Sequence, residues 1–360
     1  MPTPARNSMK TRRKTKTVYV GSVAVGGKNP IAVQSMTKTD TADVASTVKQ
    51  IRSLEASGCE IIRLAVPDMD AAKALGAIKE STHIPMIADI HFDWRLALEA
   101  LRQGIDGLRI NPGNIGAKWK VKEVVSAAKD RGTPIRIGVN AGSLDKTLLK
   151  KYGHPSAEAL VESAEQHIRI LEELGFNNTK VSLKASDVPR TIEAYRLFSK
   201  KINYPLHIGI SEAGPPSTGI IKSAVGLGIL LAEGIGDTIR VSLTADPREE
   251  VRVAYAILDS LGLRRRGVNL VSCPTCGRCK IDLRKLVAKV ENKIRGVDKP
   301  MTIAVMGCVV NGPGEAREAD VGIAGAKGRG IFFKKGKVVK TGTEKELLPL
   351  LFEEIDRWEG

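Results

Sequence analysis

The chain has 360 residues, 42% of them hydrophobic but only 4% aromatic, with 35 glycines and a formal charge of +16 at pH 7. The length exceeds one ordinary domain, and the aliphatic, glycine-rich balance fits an α/β protein rather than a β-sandwich. No run reads as a membrane span, and residues 1–17 hold Arg6, Lys10, Arg12, Arg13, Lys14 and Lys16 without an apolar stretch, which excludes a secretory signal and points to the cytoplasm.

Taken in chain order, eight short β-rich runs cover the first three-quarters of the sequence: "IAVQSM" from 31, "EIIRLAV" from 60, "IPMIADIHF" from 84, "GLRINPG" from 107, "PIRIGVN" from 134, "TKVSLKAS" from 179, "PLHIGISEAG" from 205 and "DTIRVSL" from 237. Helix-length amphipathic segments separate them. The first, "DVASTVKQIRSLEASG", reads as opening after an N-cap at Asp40 or Thr41 and closing on a glycine. Eight strands each followed by a helical stretch predict a (β/α)₈ TIM barrel. After "REEVRVAYAILDSLGLRRRG" the pattern changes, so the barrel is expected over 1–265 and a smaller α+β unit over 266–360. In that unit "VNLVSC", "MTIAVMGC", "ADVGIAG" and "GIFFKKGKVVK" read as strands, "IDLRKLVAKVENKIRG" as a helix, and a last helix starts near Glu344.

A barrel gathers the C-terminal ends of its strands around one mouth, and alternation turns every second side chain inward. Those ends carry Gln34, Arg63, Asp89 with His91, Arg109 with Asn111, Arg136 with Asn140, Lys184, Glu212 and Ser242. Arg63, Arg109, Arg136 and Lys184 therefore form a candidate anion pocket, and clustered guanidinium forks match a phosphorylated small molecule. His91 is a candidate acid or base, or equally a hydrogen-bonded lining residue. Glu212, in "ISEAGPPSTG", ends a strand close to several cations and is a candidate catalytic carboxylate.

The charge alone attracts any anion, nucleic acid included. The three Trp, five Tyr and six Phe are mostly isolated rather than interleaved with basic residues, so nucleic acid is not the expected partner.

Five cysteines are present. Cys59, in "ASGCEIIRLAV", reads as a small buried residue. The other four, Cys273, Cys276 and Cys279 in "SCPTCGRCK" and Cys308 in "MGCVVNGPGEA", point to metal or redox chemistry rather than disulfides. A C-x-x-C turn lets two thiolates share one metal, and by spacing alone four thiolates suit either a closed zinc site or a [4Fe-4S] cluster.

Together "SCPTCGR", "MGCVVNGPGEA", "RINPGN", "IRIGVN", "SLKASD" and "SEAG" resemble the bacterial 4-hydroxy-3-methylbut-2-enyl diphosphate synthases of the methylerythritol phosphate route to isoprenoids, over nearly the whole chain. The resemblance implies a TIM barrel that binds 2-C-methyl-D-erythritol 2,4-cyclodiphosphate, and a C-terminal domain resembling part of sulfite reductase. It implies a [4Fe-4S] cluster held by Cys273, Cys276, Cys308 and Glu315, the carboxylate being an exchangeable ligand; Cys279 falls outside that set. It further implies reductive ring opening with electrons from flavodoxin or ferredoxin, a diphosphate gripped by Arg63, Arg109, Arg136, Asn140, Lys184 and Ser242, catalytic roles for Glu212, His91 and Asp89, and a head-to-tail homodimer sharing each active site. Two other classes answer to parts of the sequence. A nucleic-acid binder with structural zinc leaves the strand-end residues without purpose, and another barrel enzyme, such as a pterin-binding synthase or methyltransferase, leaves the cysteines without purpose.

Overall fold

A computed structural model of the chain describes residues 10–279, 281–308, 317–325 and 328–359. The chain divides into two compact units on either side of the Arg264–Arg265 bond.

The first unit opens with an antiparallel hairpin, β1 (Thr17–Val20) and β2 (Val23–Gly26). Eight parallel strands follow among the described residues: β3 (Ala32–Met36), β4 (Ile61–Ala65), β5 (Met86–Asp89), β6 (Gly107–Ile110), β7 (Ile135–Asn140), β8 (Thr179–Lys184), β9 (His207–Ile208) and β10 (Thr238–Ile239). β10 pairs with β3, and a parallel bridge between Val181 and Leu206 joins β8 to β9, so the sheet closes on itself. The helices between strands are α1 (Val44–Ala56), α2 (Met69–Glu80), α3 (Trp94–Arg102), α4 (Pro112–Ile115), α5 (Lys118–Asp130), α6 (Lys146–Tyr152), α7 (Ala157–Glu173), α8 (Val188–Ser199), α9 (Pro216–Ala232) and α10 (Pro247–Ser260). This is the TIM barrel that the strand count predicts. Its main apolar cluster combines outward strand residues such as Val33, Ile62 and Ala88 with helix residues such as Ile51, Leu75 and Leu230.

Local chemistry explains where the helices begin. Asp43, Asp68, Asp93, Asp187 and Asp246 each cap a barrel helix by accepting a backbone N–H of its first turn. The first of these corrects the expected start at Asp40 or Thr41. The Asp40 carboxylate instead accepts from the Ala42 N–H at 3.0 Å and shapes the preceding turn, and Thr41 donates to the Ala65 carbonyl at 2.6 Å.

The N-terminal hairpin has no counterpart in the sequence expectations. Val20 and Val25 pack on Ala32, Ile61 and Ile87 from the first three barrel strands and seal the barrel floor. The basic residues before it are used structurally: Arg13 donates to the carbonyls of Ser199, Ile202 and Tyr204.

The second unit is a five-stranded sheet among the described residues. β11 (Val268–Ser272), β12 (Met301–Met306) and β13 (Val321–Gly325) run parallel, and β14 (Gly330–Lys334) and β15 (Lys337–Gly342) continue antiparallel. The run "GIFFKKGKVVK" is thus a hairpin, turned at Lys335 and Gly336, both with positive φ. Helices α11 (Leu283–Ile294) and α12 (Glu344–Arg357) cover one sheet face through Leu286, Val290, Leu347 and Leu351 against Ile303, Val305 and Phe332. The alternate residues Ala304, Met306, Ala324 and Phe333 form a smaller cluster on the other face.

Candidate active site

The C-terminal ends of the barrel strands surround a cavity of about 400 Å³. Nine of the eleven strand-end residues expected around the mouth line it: Arg63, Asp89, His91, Arg109, Arg136, Asn140, Lys184, Glu212 and Ser242. Asn111 is a correction, because its side chain caps α4 by accepting from the Gly113 N–H at 3.1 Å instead of lining the cavity. Gln34 is the other: two positions below Met36 on β3, it is buried and absent from the lining.

Register explains the convergence. Arg63, Asp89, Arg109 and Arg136 stand on four adjacent strands, with Asp89 paired to Arg109 and Arg109 to Arg136 in the ladder. Asp89 anchors the group: Arg109 donates to it at 3.0 Å, and Arg63 Nε lies 3.4 Å from its other oxygen. Arg109 also reaches the Gly138 carbonyl at 3.3 Å and a ring nitrogen of His91 at 3.2 Å. With its oxygen toward Arg109, the Asn140 amide accepts from Nη2 at 3.1 Å. Gly138 is needed there, since a Cβ would run into Arg109 Nε.

Three further residues shape the pocket and lie outside what the sequence indicates. Arg240, directly after β10 and two positions before Ser242, lines it from the same side, and that spacing is the signal the sequence holds. His207 orients Lys184: with Nδ1 donating to Thr238 Oγ1 at 2.7 Å, Nε2 accepts from Lys184 Nζ at 3.2 Å. Glu250, from α10, is the third, and neither periodicity nor spacing singles it out from its neighbour Glu249.

Among the described residues, six cationic side chains face three carboxylates around the cavity. Burial pushes Arg63 down to about 10 although Asp89 opposes it. Burial, reinforced by neighbouring arginines, pushes Arg136 and Lys184 well below their ordinary ranges. Burial would raise the Asp89 carboxyl, but Arg63, the His91 hydrogen bond and Arg109 together hold it well below the usual carboxylate range. Nε of Arg109 and Arg240, and Nε and Nη1 of Arg136, are buried without a protein partner among the described residues. Orphaned, charged donors crowded in this way are complementary to a multiply charged anion.

Glu212 sits at the lip, exposed, with φ of 52°. A non-glycine residue in the left-handed region is strained, and such strain concentrates at functional sites. Cys59 is buried, and burial pushes its thiol up to about 12, which makes it inert packing.

In the second unit, Cys273 and Cys308 follow the neighbouring parallel strands β11 and β12, whose ladder pairs Ser272 with Val305. The Gly307 N–H donates to Cys273 Sγ at 3.1 Å. Hydrogen bonds from Arg278 draw the exposed Cys276 thiol below its ordinary range. Cys279 donates to the Ile281 carbonyl at 3.3 Å and packs so closely on Gly307 that a Cβ there would lie 2.5 Å from its sulfur. Among the described residues, no three His, Cys, Asp or Glu side chains already stand close enough to hold a metal ion, and Glu315 lies outside the described residues. Thiols at adjacent strand ends, supported by backbone N–H groups, are the donor chemistry that an iron-sulfur cluster takes.

Fold and site define a (β/α)₈ barrel with a cation-lined mouth, carried on one chain with a cysteine-bearing α+β unit. The GcpE TIM-barrel domain matches residues 15–255, and the GcpE protein C-terminal domain matches residues 269–357. The 4-hydroxy-3-methylbut-2-en-1-yl diphosphate synthase (flavodoxin) of Thermodesulfovibrio yellowstonii is 64% identical over 344 residues, covering 96% of this chain and 99% of that protein. The protein of the same name from Geobacter sulfurreducens is 62% identical, over 96% and 98%. The chain belongs to this GcpE family and is an oxidoreductase. Among solved structures, Yersinia pestis dihydropteroate synthase gives a TM-score of 0.50 at 12% identity, covering 68% of this chain and 98% of that one. The N-acetylneuraminic acid synthetase of Leptospira borgpetersenii gives 0.50 at 12%, covering 79% and 99%. Both likenesses concern the fold alone. Among the described residues, no helix is long and apolar enough to cross a membrane.

Proposed function

We propose that the chain converts 2-C-methyl-D-erythritol 2,4-cyclodiphosphate into (E)-4-hydroxy-3-methylbut-2-enyl diphosphate, a two-electron reductive ring opening with loss of water in isoprenoid biosynthesis. The observation that carries this reading is the mouth cavity, where buried guanidinium groups with unpartnered N–H donors line one shared space. Arg63, Arg109, Arg136, Lys184, Asn140 and Ser242 grip the diphosphate, and their charge stabilises it as the leaving group within the ring. Asp89, kept ionised, orients Arg63 and Arg109 more than it moves a proton. Glu212 stands at the lip as the proton donor or charge stabiliser for the departing hydroxyl, and His91 lines the same cavity beside Asp89 and Arg109.

A [4Fe-4S] cluster held by Cys273, Cys276, Cys308 and Glu315 would supply the electrons one at a time. The relatives' names support flavodoxin as the donor, with ferredoxin the other small acidic carrier of that chemistry. The reading includes a cytoplasmic homodimer in which the barrel of one protomer works with the cluster domain of its partner.

Protein purified without oxygen is expected to be brown, to bleach with dithionite, and to form the linear diphosphate from the cyclic one with a reduced viologen. Protein that carries its full iron complement yet leaves the cyclic diphosphate unchanged would refute the reading.

A further inference from the structure

At the corner between β10 and α10 the pocket holds a carboxylate where an anion site would not be expected to have one. Glu250 is 2% exposed and lies in the first turn of α10. Its Oε1 accepts from the Leu243 N–H at 3.0 Å and lies 3.1 Å from Lys38 Nζ. Its Oε2 accepts from Ser35 Oγ at 3.4 Å and lies 3.9 Å from Arg240 Nη2. Lys38 also donates to the carbonyls of Leu243 at 2.8 Å and Ala245 at 2.6 Å. One side chain thus ties β3 and the segment after it to the segment after β10 and to the Arg240 guanidinium.

By Coulomb's law alone, a carboxylate lining this cavity repels an anionic ligand, and removing its charge should tighten binding. The geometry argues the reverse. Arg240 is a long side chain among Arg63, Arg109, Arg136 and Lys184, all of like charge, and holding it in one rotamer costs entropy. Glu250 is the carboxylate that faces its Nη2, while its Nε stays without a protein partner among the described residues.

We propose that Glu250 is a positioning residue of the anion pocket. It holds Arg240 across the mouth against the repulsion of the other cations, and through Lys38 it pins residues 243–245 as the pocket edge. This inference rests on the reading of the cavity as a diphosphate site, and the test uses inorganic diphosphate as the probe, without turnover.

Calorimetric titration with diphosphate is made on the full chain, on Glu250→Gln, on Arg240→Met and on the double variant. Glutamine keeps the shape and an oxygen for the Leu243 N–H, and thermal melting verifies the fold. Glu250→Gln is expected to bind diphosphate about tenfold more weakly, the scale of one charged hydrogen bond. In the Arg240→Met background the same change is expected to cost clearly less than in the unaltered chain, because most of its effect runs through Arg240 and only the Lys38 link remains. Glu250→Asp, which keeps the charge but shortens the reach, is expected to weaken binding as well. Unchanged or tighter binding in Glu250→Gln, or full additivity in the double variant, overturns the positioning role. If the unaltered chain fails to bind diphosphate, the diphosphate reading of the cavity falls and this inference with it.

Discussion

Asp89 shows how one residue can organise a site of opposite charge. It is 4% exposed and is the nearest anionic partner of both Arg63 and Arg109. Asp89→Asn leaves two buried guanidinium groups undercompensated and is expected to cost about 3 kcal/mol of stability near neutral pH. Because its folded carboxyl is held below the ordinary range, Asp89 contributes fully above about pH 4, the unfolded value, and loses that contribution as the pH falls further. Urea midpoints followed from pH 7 to pH 3 should therefore keep a constant gap down to about pH 4 and begin to close it below that; a gap that stays constant to pH 3 would assign the acid sensitivity to other groups. The inward strand-end residues were legible because alternation is a local rule. Asn111 was misplaced because a short helix competes for its side chain, and Glu250 was missed because only its tertiary partners distinguish it from Glu249.

Strands and loops set how closely the cations can approach. On β7, Gly138 lets Arg109 lie flat against the barrel wall, and directly after β9, Gly209 leaves room for Lys184, whose Nζ would lie 2.9 Å from a Cβ. Neither glycine has a positive φ, so both are kept by space rather than by backbone conformation. Gly138→Ala is expected to push Arg109 off Asp89 and weaken substrate binding by about tenfold or more, the scale of one lost charged hydrogen bond, while secondary structure persists. A Michaelis constant and a turnover number that both match the unaltered enzyme would show that Arg109 does not need that wall. The hairpin β1–β2 is an element of a different kind. Its alternation is too short to announce that Val20 and Val25 plug a barrel, and the arginines before it suggest a solvated tail rather than a brace for the turn after α8.

At the scale of the whole molecule, the anion pocket and the cysteines belong to separate compact units of one chain. If the active site combines a barrel with the partner's cluster domain, mixing Glu212→Ala with Cys308→Ala under conditions that exchange subunits should restore activity in the mixed dimers. Exchange demonstrated by mass without any recovered turnover would place both halves of the site in one chain. The sequence by itself determined the eight-strand repeat, the basic strand ends, the change of pattern near Arg265 and the C-x-x-C turn, because periods of two and 3.6 residues and short spacings act between near neighbours. Only the tertiary structure decided that β10 meets β3, that Ser35 and Glu250 touch, that His207 steers Lys184 and that a hairpin closes the floor. Those pairings follow from closing the strands into a ring, which brings residues some 200 positions apart into contact and has no signature along the chain.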